Sequence, residues 1–186
     1  MAMYWYNTKL FRCTCFFAAY FLLINSIGCK PNTVSKKNEL IYFDLKSYFN
    51  SEAARLKLKN KAIIKAVTYN KSTESKTVFI QNWEREFDFF ISSDINKPSW
   101  KDSYTIEKSE DLIIYRAKLK ELKLREMIVK MDNNKVKWVF VYNAINNLLY
   151  FSSEQLSYFP DSLYQIEKQQ KVKLLSKNYF RVKEKF

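Results

Sequence analysis

Residues 127–142 read MIVKMDNNKVKWVFVY, two apolar-rich arms around a polar centre. In the second arm Val136, Trp138, Phe140 and Tyr142 recur at every second residue, the repeat of a strand, and so point one way. Asn133-Asn134 sits where the arms meet. Asparagine tolerates the positive φ that a tight hairpin turn needs, so the stretch predicts an antiparallel hairpin. The same period-two pattern runs outward from it. From Ser103 to the C-terminus it predicts strands at 103–108, 112–118, 125–131, 136–143, 148–158, 163–175 and 179–184. Asn146-Asn147 and Pro160-Asp161 mark further turns. In the strand 163–175, Ile166, Val172 and Leu174 are expected to face in, and Glu167, Gln169, Lys171 and Lys173 to face out. Consecutive strands with short connections make a meander, usually with one packed and one wet face.

Upstream the period lengthens. Leu45, Phe49, Ala53 and Leu56 fall on one face of a helix that Asp44 can cap and that runs to about Leu58, with Asn60 as its stop. Strands are expected at 62–69 and 76–81, joined by a polar connection from Tyr69 to Ser75. A second helix is predicted over 82–94, with Trp83, Phe87, Phe90 and Ile91 on its apolar face; Asn96-Lys97-Pro98 ends it. The fold class is α+β: N-terminal helices packed on a curved, mainly antiparallel β-sheet. Residues 39–186 form its single domain. With 17% Phe, Trp and Tyr, the chain is far richer in aromatics than a disordered one.

What is missing narrows the chemistry. The chain has no histidine, which removes Ser-His-Asp and Cys-His nucleophiles and the usual zinc sites. The only glycine is Gly28, so no glycine-rich loop exists to cradle phosphate or a dinucleotide. No cofactor and no metal are expected, and no catalytic residue is assigned. Two acidic groups are the remaining catalytic candidates: Glu84, Glu86 and Asp88, and Glu107, Glu110 and Asp111. Paired carboxylates can hydrolyse glycosides. Their positions, on a polar helix face and at a turn, also suit plain solvated charge. Trp100, Tyr104, Tyr142, Tyr150, Phe151, Tyr158, Phe159 and Tyr164 can line a groove, but aromatics mostly build cores.

The N-terminus says where the protein works. Lys9 and Arg12 precede the uncharged run Cys13–Gly28, whose centre is Phe16-Phe17-Ala18-Ala19-Tyr20-Phe21-Leu22-Leu23-Ile24. At 1.5 Å per residue that run spans about 24 Å, short for a permanent crossing and suited to a cleaved export signal. Ser26-Ile27-Gly28-Cys29 resembles the lipobox of lipoproteins cut by signal peptidase II, with Ser26 where that family prefers leucine. The resemblance implies that residues 1–28 are removed. It also implies that Cys29 carries a diacylglycerol thioether, with two or three acyl chains such as palmitate. Lys30–Asn38 then reads as a short tether, so 29–38 would hold the domain close to a membrane. Together with the lysine and asparagine content, these features resemble the small lipoproteins of Bacteroidetes-type envelopes. Acidic residues soon after the cysteine mark surface export there, and Lys30-Pro31-Asn32-Thr33-Val34 has none, which implies a periplasm-facing domain.

Charge bears on partners. The formal net charge is +13, and losing 1–28 removes only Lys9 and Arg12, so the remainder stays basic. Nucleic acid is not an expected partner, because the chain carries an export signal and no nucleic-acid motif. The lysines serve either anionic envelope surfaces or simply solubility. Two functions follow. One is a membrane-anchored, non-catalytic domain that binds an envelope protein or a lipid-like apolar ligand. The other is an envelope hydrolase with a carboxylate pair, which requires two inward-facing acids in a cleft. A large pocket between sheet and helices would favour ligand carriage, and an exposed apolar patch would favour partner binding.

Overall fold

The computed structural model describes residues 40–186. The expected leader 1–28 and the expected lipidated Cys29 with its tether, 29–38, lie outside the described residues.

Helix α1 (Leu45–Lys59) starts where its cap is. The Asp44 carboxylate accepts from the Ser47 N–H at 2.9 Å, satisfying a donor that the first turn leaves free. Its apolar face, Leu45, Phe49, Ala53 and Leu56, is buried. It stops at Asn60, which takes φ 41° and donates its N–H to the Leu56 carbonyl at 3.1 Å.

Strands β1 (Ile63–Tyr69) and β2 (Ser72–Val78) follow, paired from Ile63↔Val78 to Tyr69↔Ser72. The connection expected over Tyr69–Ser75 is therefore mostly strand, and Asn70-Lys71 alone makes the turn, with Asn70 at φ 52°. β2 is an edge strand whose residues 72–77 are all exposed, so it carries no apolar alternation to read. Charged edges of this kind also discourage further pairing.

The helix expected over 82–94 is two short ones, α2 (Trp83–Glu86) and α3 (Asp88–Ile91), broken at Phe87 (φ −85°, ψ 6°). The apolar period survives the break, since Trp83, Phe87 and Phe90 are all buried. Phe87 is held by the rings of Phe49, Tyr158 and Tyr164, so tertiary packing fixes its backbone against the local helical pattern. A 3₁₀ turn at Pro98–Trp100 leads into the sheet.

Seven strands then follow: β3 (Tyr104–Lys108), β4 (Leu112–Ala117), β5 (Leu124–Asp132), β6 (Lys135–Asn146), β7 (Tyr150–Phe159), β8 (Leu163–Val172) and β9 (Asn178–Lys185). The result is an open nine-stranded sheet of order β2-β1-β9-β8-β7-β6-β5-β4-β3, antiparallel at every pairing. β3 to β9 follow the chain, and the β1–β2 hairpin docks on β9. The β5–β6 turn is Asn133-Asn134, at φ 49° and 60°. Asn60, Asn70 and Asp161 also have positive φ, filling places glycine would usually take. β8 ends at Val172, earlier than expected. Leu174 is therefore on a turn and exposed, and Val172 is exposed as well.

Residues directly opposite in paired strands share a face. One face carries Met127, Val129, Val139, Val141, Leu156, Tyr158, Tyr164 and Ile166, all buried. Phe49, Phe87 and Phe90 from the helices pack against its tyrosines, with ring centroids of Phe87 5.3 Å from Tyr158 and 5.5 Å from Tyr164. Among the described residues, no helix is long and apolar enough to cross a membrane.

Candidate functional site

The helix-covered face is a filled core. Phe49 stacks on Phe90 at 4.2 Å and meets Phe87 edge-on at 5.1 Å. Aromatic pairs in these geometries add to the gain from burial. Tyr164 donates to the Glu86 carbonyl at 2.6 Å, and Tyr158 donates to Glu52. Burial pushes both phenols far above their usual range. Glu52 also chelates Arg55, which reaches Asp161 at 2.8 Å beside Lys59. These groups seal the helix–sheet seam with satisfied polar pairs. A depression of about 120 Å³ beside them is lined by Leu56, Lys59, Ile63, Trp83, Asp161 and Phe186, among others.

Two buried carboxylates sit on this face that the sequence did not single out. Glu184 is wholly buried on β9, between Val182 and Phe186 in the alternation. Lys65 lies 2.8 Å from its Oε1 and also pairs with Glu86. Burial raises the Glu184 carboxyl to about 7 against the pull of Lys65. Burial opposes the charge on Lys65, yet its bonds to the two glutamates raise its pKa overall. Glu154 on β7 is held by Lys168 at 2.9 Å and Lys123 at 3.5 Å; burial opposes its ionisation, but the lysines keep its pKa low. Asn143 beside it donates to Ser93 at 2.9 Å.

Neither acidic group proposed from the sequence comes together as an open pair. Glu84 and Asp88 are exposed on α2 and α3, and Glu86 is bound to Lys65. Glu107 pairs with Arg116, Asp111 pairs with Lys130, and Glu110 is exposed. The depression described above is lined by none of these acids. A shallower one, about 540 Å³ across Pro98, Lys101, Asp102, Ser103, Lys118 and Leu119, is not lined by them either. Among the described residues no group of three or more His, Cys, Asp or Glu is placed to hold a metal.

The opposite face of the sheet is where apolar surface remains. Ile114, Ile128 and Phe140 lie in one cross-strand row of β4, β5 and β6. Trp138 and Phe159 form a second row, rings 6.4 Å apart, and Tyr142 extends the stripe beyond Phe140. Each is half-buried or exposed, and none packs against the main core. The stripe includes the Trp138-Phe140-Tyr142 alternation read from the sequence, but that alternation faces away from the helices; Val139 and Val141 between them face the core. Val136, at the β6 bulge, does reach the core. Arg116 with Glu107 and Glu126 closes one side of the stripe as an ion triad. On the other side, β9 presents Arg181, Lys183 and Lys185 on the same face, none paired with an acid among the described residues. Of the other aromatics named from the sequence, Tyr104, Tyr158 and Tyr164 are core, Trp100 lies under Lys97 at 4.1 Å, and Phe151 is exposed.

No family model matches this chain, and neither a curated protein nor a solved structure matches it significantly.

Proposed function

We propose that the protein is a membrane-anchored envelope lipoprotein, held by a lipid on Cys29 and facing the periplasm, whose domain binds a protein partner without catalysis. The α+β domain, taken as a curved meander, presents its helix-free face to that partner. The observation that carries this reading is the apolar stripe of Ile114, Ile128, Trp138, Phe140, Tyr142 and Phe159 on a sheet face that no described element covers. Antiparallel sheets with a solvated side usually make it polar, and contiguous exposed apolar surface marks interaction sites. The occupant is a protein with an apolar centre and an acidic margin, because Arg181, Lys183 and Lys185 flank the stripe and form no ion pair among the described residues, with Glu167 alone across from Arg181. Ligand carriage between helices and sheet is disfavoured by the stacked rings that occupy that space.

The carboxylate-pair reading has one observation in its favour, the raised Glu184 beside Glu86. Lys65 stands between them, and Glu184 is sealed from solvent. A structural ion cluster accounts for that geometry, so the non-catalytic reading is preferred. Photo-cross-linking in the native envelope tests it. A benzophenone amino acid at Phe140 should give a discrete protein adduct that one at Lys57, on the solvent side of α1, does not. The same weak adducts from both positions would refute the reading.

A further inference from the structure

Two neighbouring hairpin tips leave leucines in water. Leu148 is 90% exposed and Leu149 69% in the β6–β7 turn; Leu174 is 99% and Leu175 69% in the β8–β9 turn. Single exposed leucines are ordinary, but a cluster at adjacent tips forgoes burial that folding would otherwise gain. Both turns are built structures. The Asn147 side chain accepts from the N–H groups of Leu149 (3.1 Å) and Tyr150 (2.9 Å), which folds the backbone back and turns the leucines out. In the second turn Leu175 donates to the Val172 carbonyl at 3.0 Å, and Lys173 donates across to Leu149 at 2.9 Å, tying the two tips together. Lys171, Lys173 and Lys177 collar them, and the two tip segments 146–150 and 171–178 contain no acid.

The antiparallel order puts further connections at this same end of the sheet: the Asn70-Lys71 turn, and residues 118–123 with exposed Leu119, Lys118 and Lys120 and one exposed acid, Glu121. The described chain also begins there. Tyr42 donates its hydroxyl to the Trp100 and Lys101 carbonyls at 2.9 and 2.6 Å, just before β3, and Leu40 and Ile41 beside it are exposed. At the opposite end the hairpin turns Ser109–Asp111, Asn133-Asn134 and Pro160–Ser162 hold Glu110, Asp111 and Asp161 and no lysine or leucine; the α1–β1 connection there adds Lys61, next to exposed Leu58 and to Lys59, which pairs with Asp161.

We infer that this leucine-tipped, lysine-collared end of the sheet inserts into the interface of an anionic lipid bilayer, with Leu148, Leu149, Leu174 and Leu175 among the acyl chains and the lysines among the head groups. An apolar tip with a basic collar is the pattern of interfacial binding. The surface is a bilayer and not a second protein because the tips project as narrow turns with uniform charge, whereas the broad face of the sheet suits a protein. The inference extends the membrane-anchored reading but does not need the lipid on Cys29. The domain would stand end-on, leaving its helix-free face open sideways.

The test uses residues 29–186 with Cys29 replaced by serine, which removes both the apolar run 13–28 and any lipid attachment. An environment-sensitive NBD label is placed at Leu174→Cys or, at the other end, at Asn134→Cys. With phosphatidylglycerol-containing vesicles, the label at 174 should shift to the blue and lose most of its quenching by iodide; the label at 134 should do neither. Neutralising Lys171, Lys173 and Lys177 to glutamine should weaken vesicle affinity about fivefold per lysine. A label at 174 that stays fully quenchable while the chain co-floats with vesicles, or equal protection at 134, would overturn the inference. Equal affinity for uncharged vesicles would remove its electrostatic half. Failure here leaves the Cys29 reading standing, since that reading is tested separately by the mass of the N-terminal peptide.

Discussion

The two faces of the sheet carry similar side chains and lead different lives. On one, Tyr158, Tyr164, Val139 and Val141 are closed off by Phe49, Phe87 and Phe90. On the other, Phe140, Trp138 and Ile128 have the same apolar character and no cover among the described residues. An apolar residue under the helices is therefore committed to folding, and its loss should cost stability. One on the open face is only partly committed, and its loss should cost association.

That contrast can be broken by substitution. Phe49→Ala empties the centre of the aromatic stack, and removal of a buried phenylalanine costs about 3–5 kcal/mol. Denaturant unfolding should show the midpoint falling to match, with m unchanged. The Glu184 carboxyl sharpens the energetics of the covered face. Its folded pKa, near 7, lies above its unfolded value, so it binds more protons folded than unfolded. Its contribution to stability is complete below about pH 4.5 and is lost as pH rises through 7. Glu184→Gln should flatten that fall, so that stability between pH 5 and 8 varies less than in the parent; an unchanged slope would remove Glu184 as its source. Asp44→Ala, which removes the cap of α1, should cost about 1 kcal/mol, read in the same unfolding assay. Phe140→Ser, on the open face, should cost about 1–2 kcal/mol, less than Phe49→Ala, because part of the ring is already exposed. Leu174→Ser, at the tip, should stay within about 0.5 kcal/mol of the parent, as surface changes do.

Much of this organisation is legible in the sequence. Asp44 and Asn60 bracket α1 because their side chains can do what a first turn and a left-handed stop require. Asn133-Asn134 makes its turn for the same reason, in a region without glycine. The strands from β4 to β9 were readable because apolar side chains recur toward a packed face; β3 meets that face only at Tyr104. β2 was not, because residues 72–77 are polar on both sides and only pairing makes them a strand. The break at Phe87 was hidden because the apolar spacing persists through it and ring packing imposes the bend.

The candidate site was half legible. The alternation Trp138-Phe140-Tyr142 was visible, but so was Val139-Val141 between them, and period two cannot say which set meets the helices. Glu154 and Glu184 gave one faint signal, an acid at an inward position of an alternating strand. Nothing in the linear order joined Lys65 to Glu184, or Lys123 and Lys168 to Glu154. Val172-Lys173-Leu174 continues the alternation and so reads as strand, but the ladder stops at Val172, which leaves Leu174 and Leu175 on the turn.

Hydroxyl-radical footprinting of Trp138, Phe140 and Tyr142 measures the open face directly, since all three rings react readily when wet. They should be strongly oxidised in the purified protein and protected in the intact envelope, while exposed residues of α1 react equally in both. Equal oxidation of the three rings in both settings would mean that nothing binds there, and the assignment of this face to a partner would be wrong.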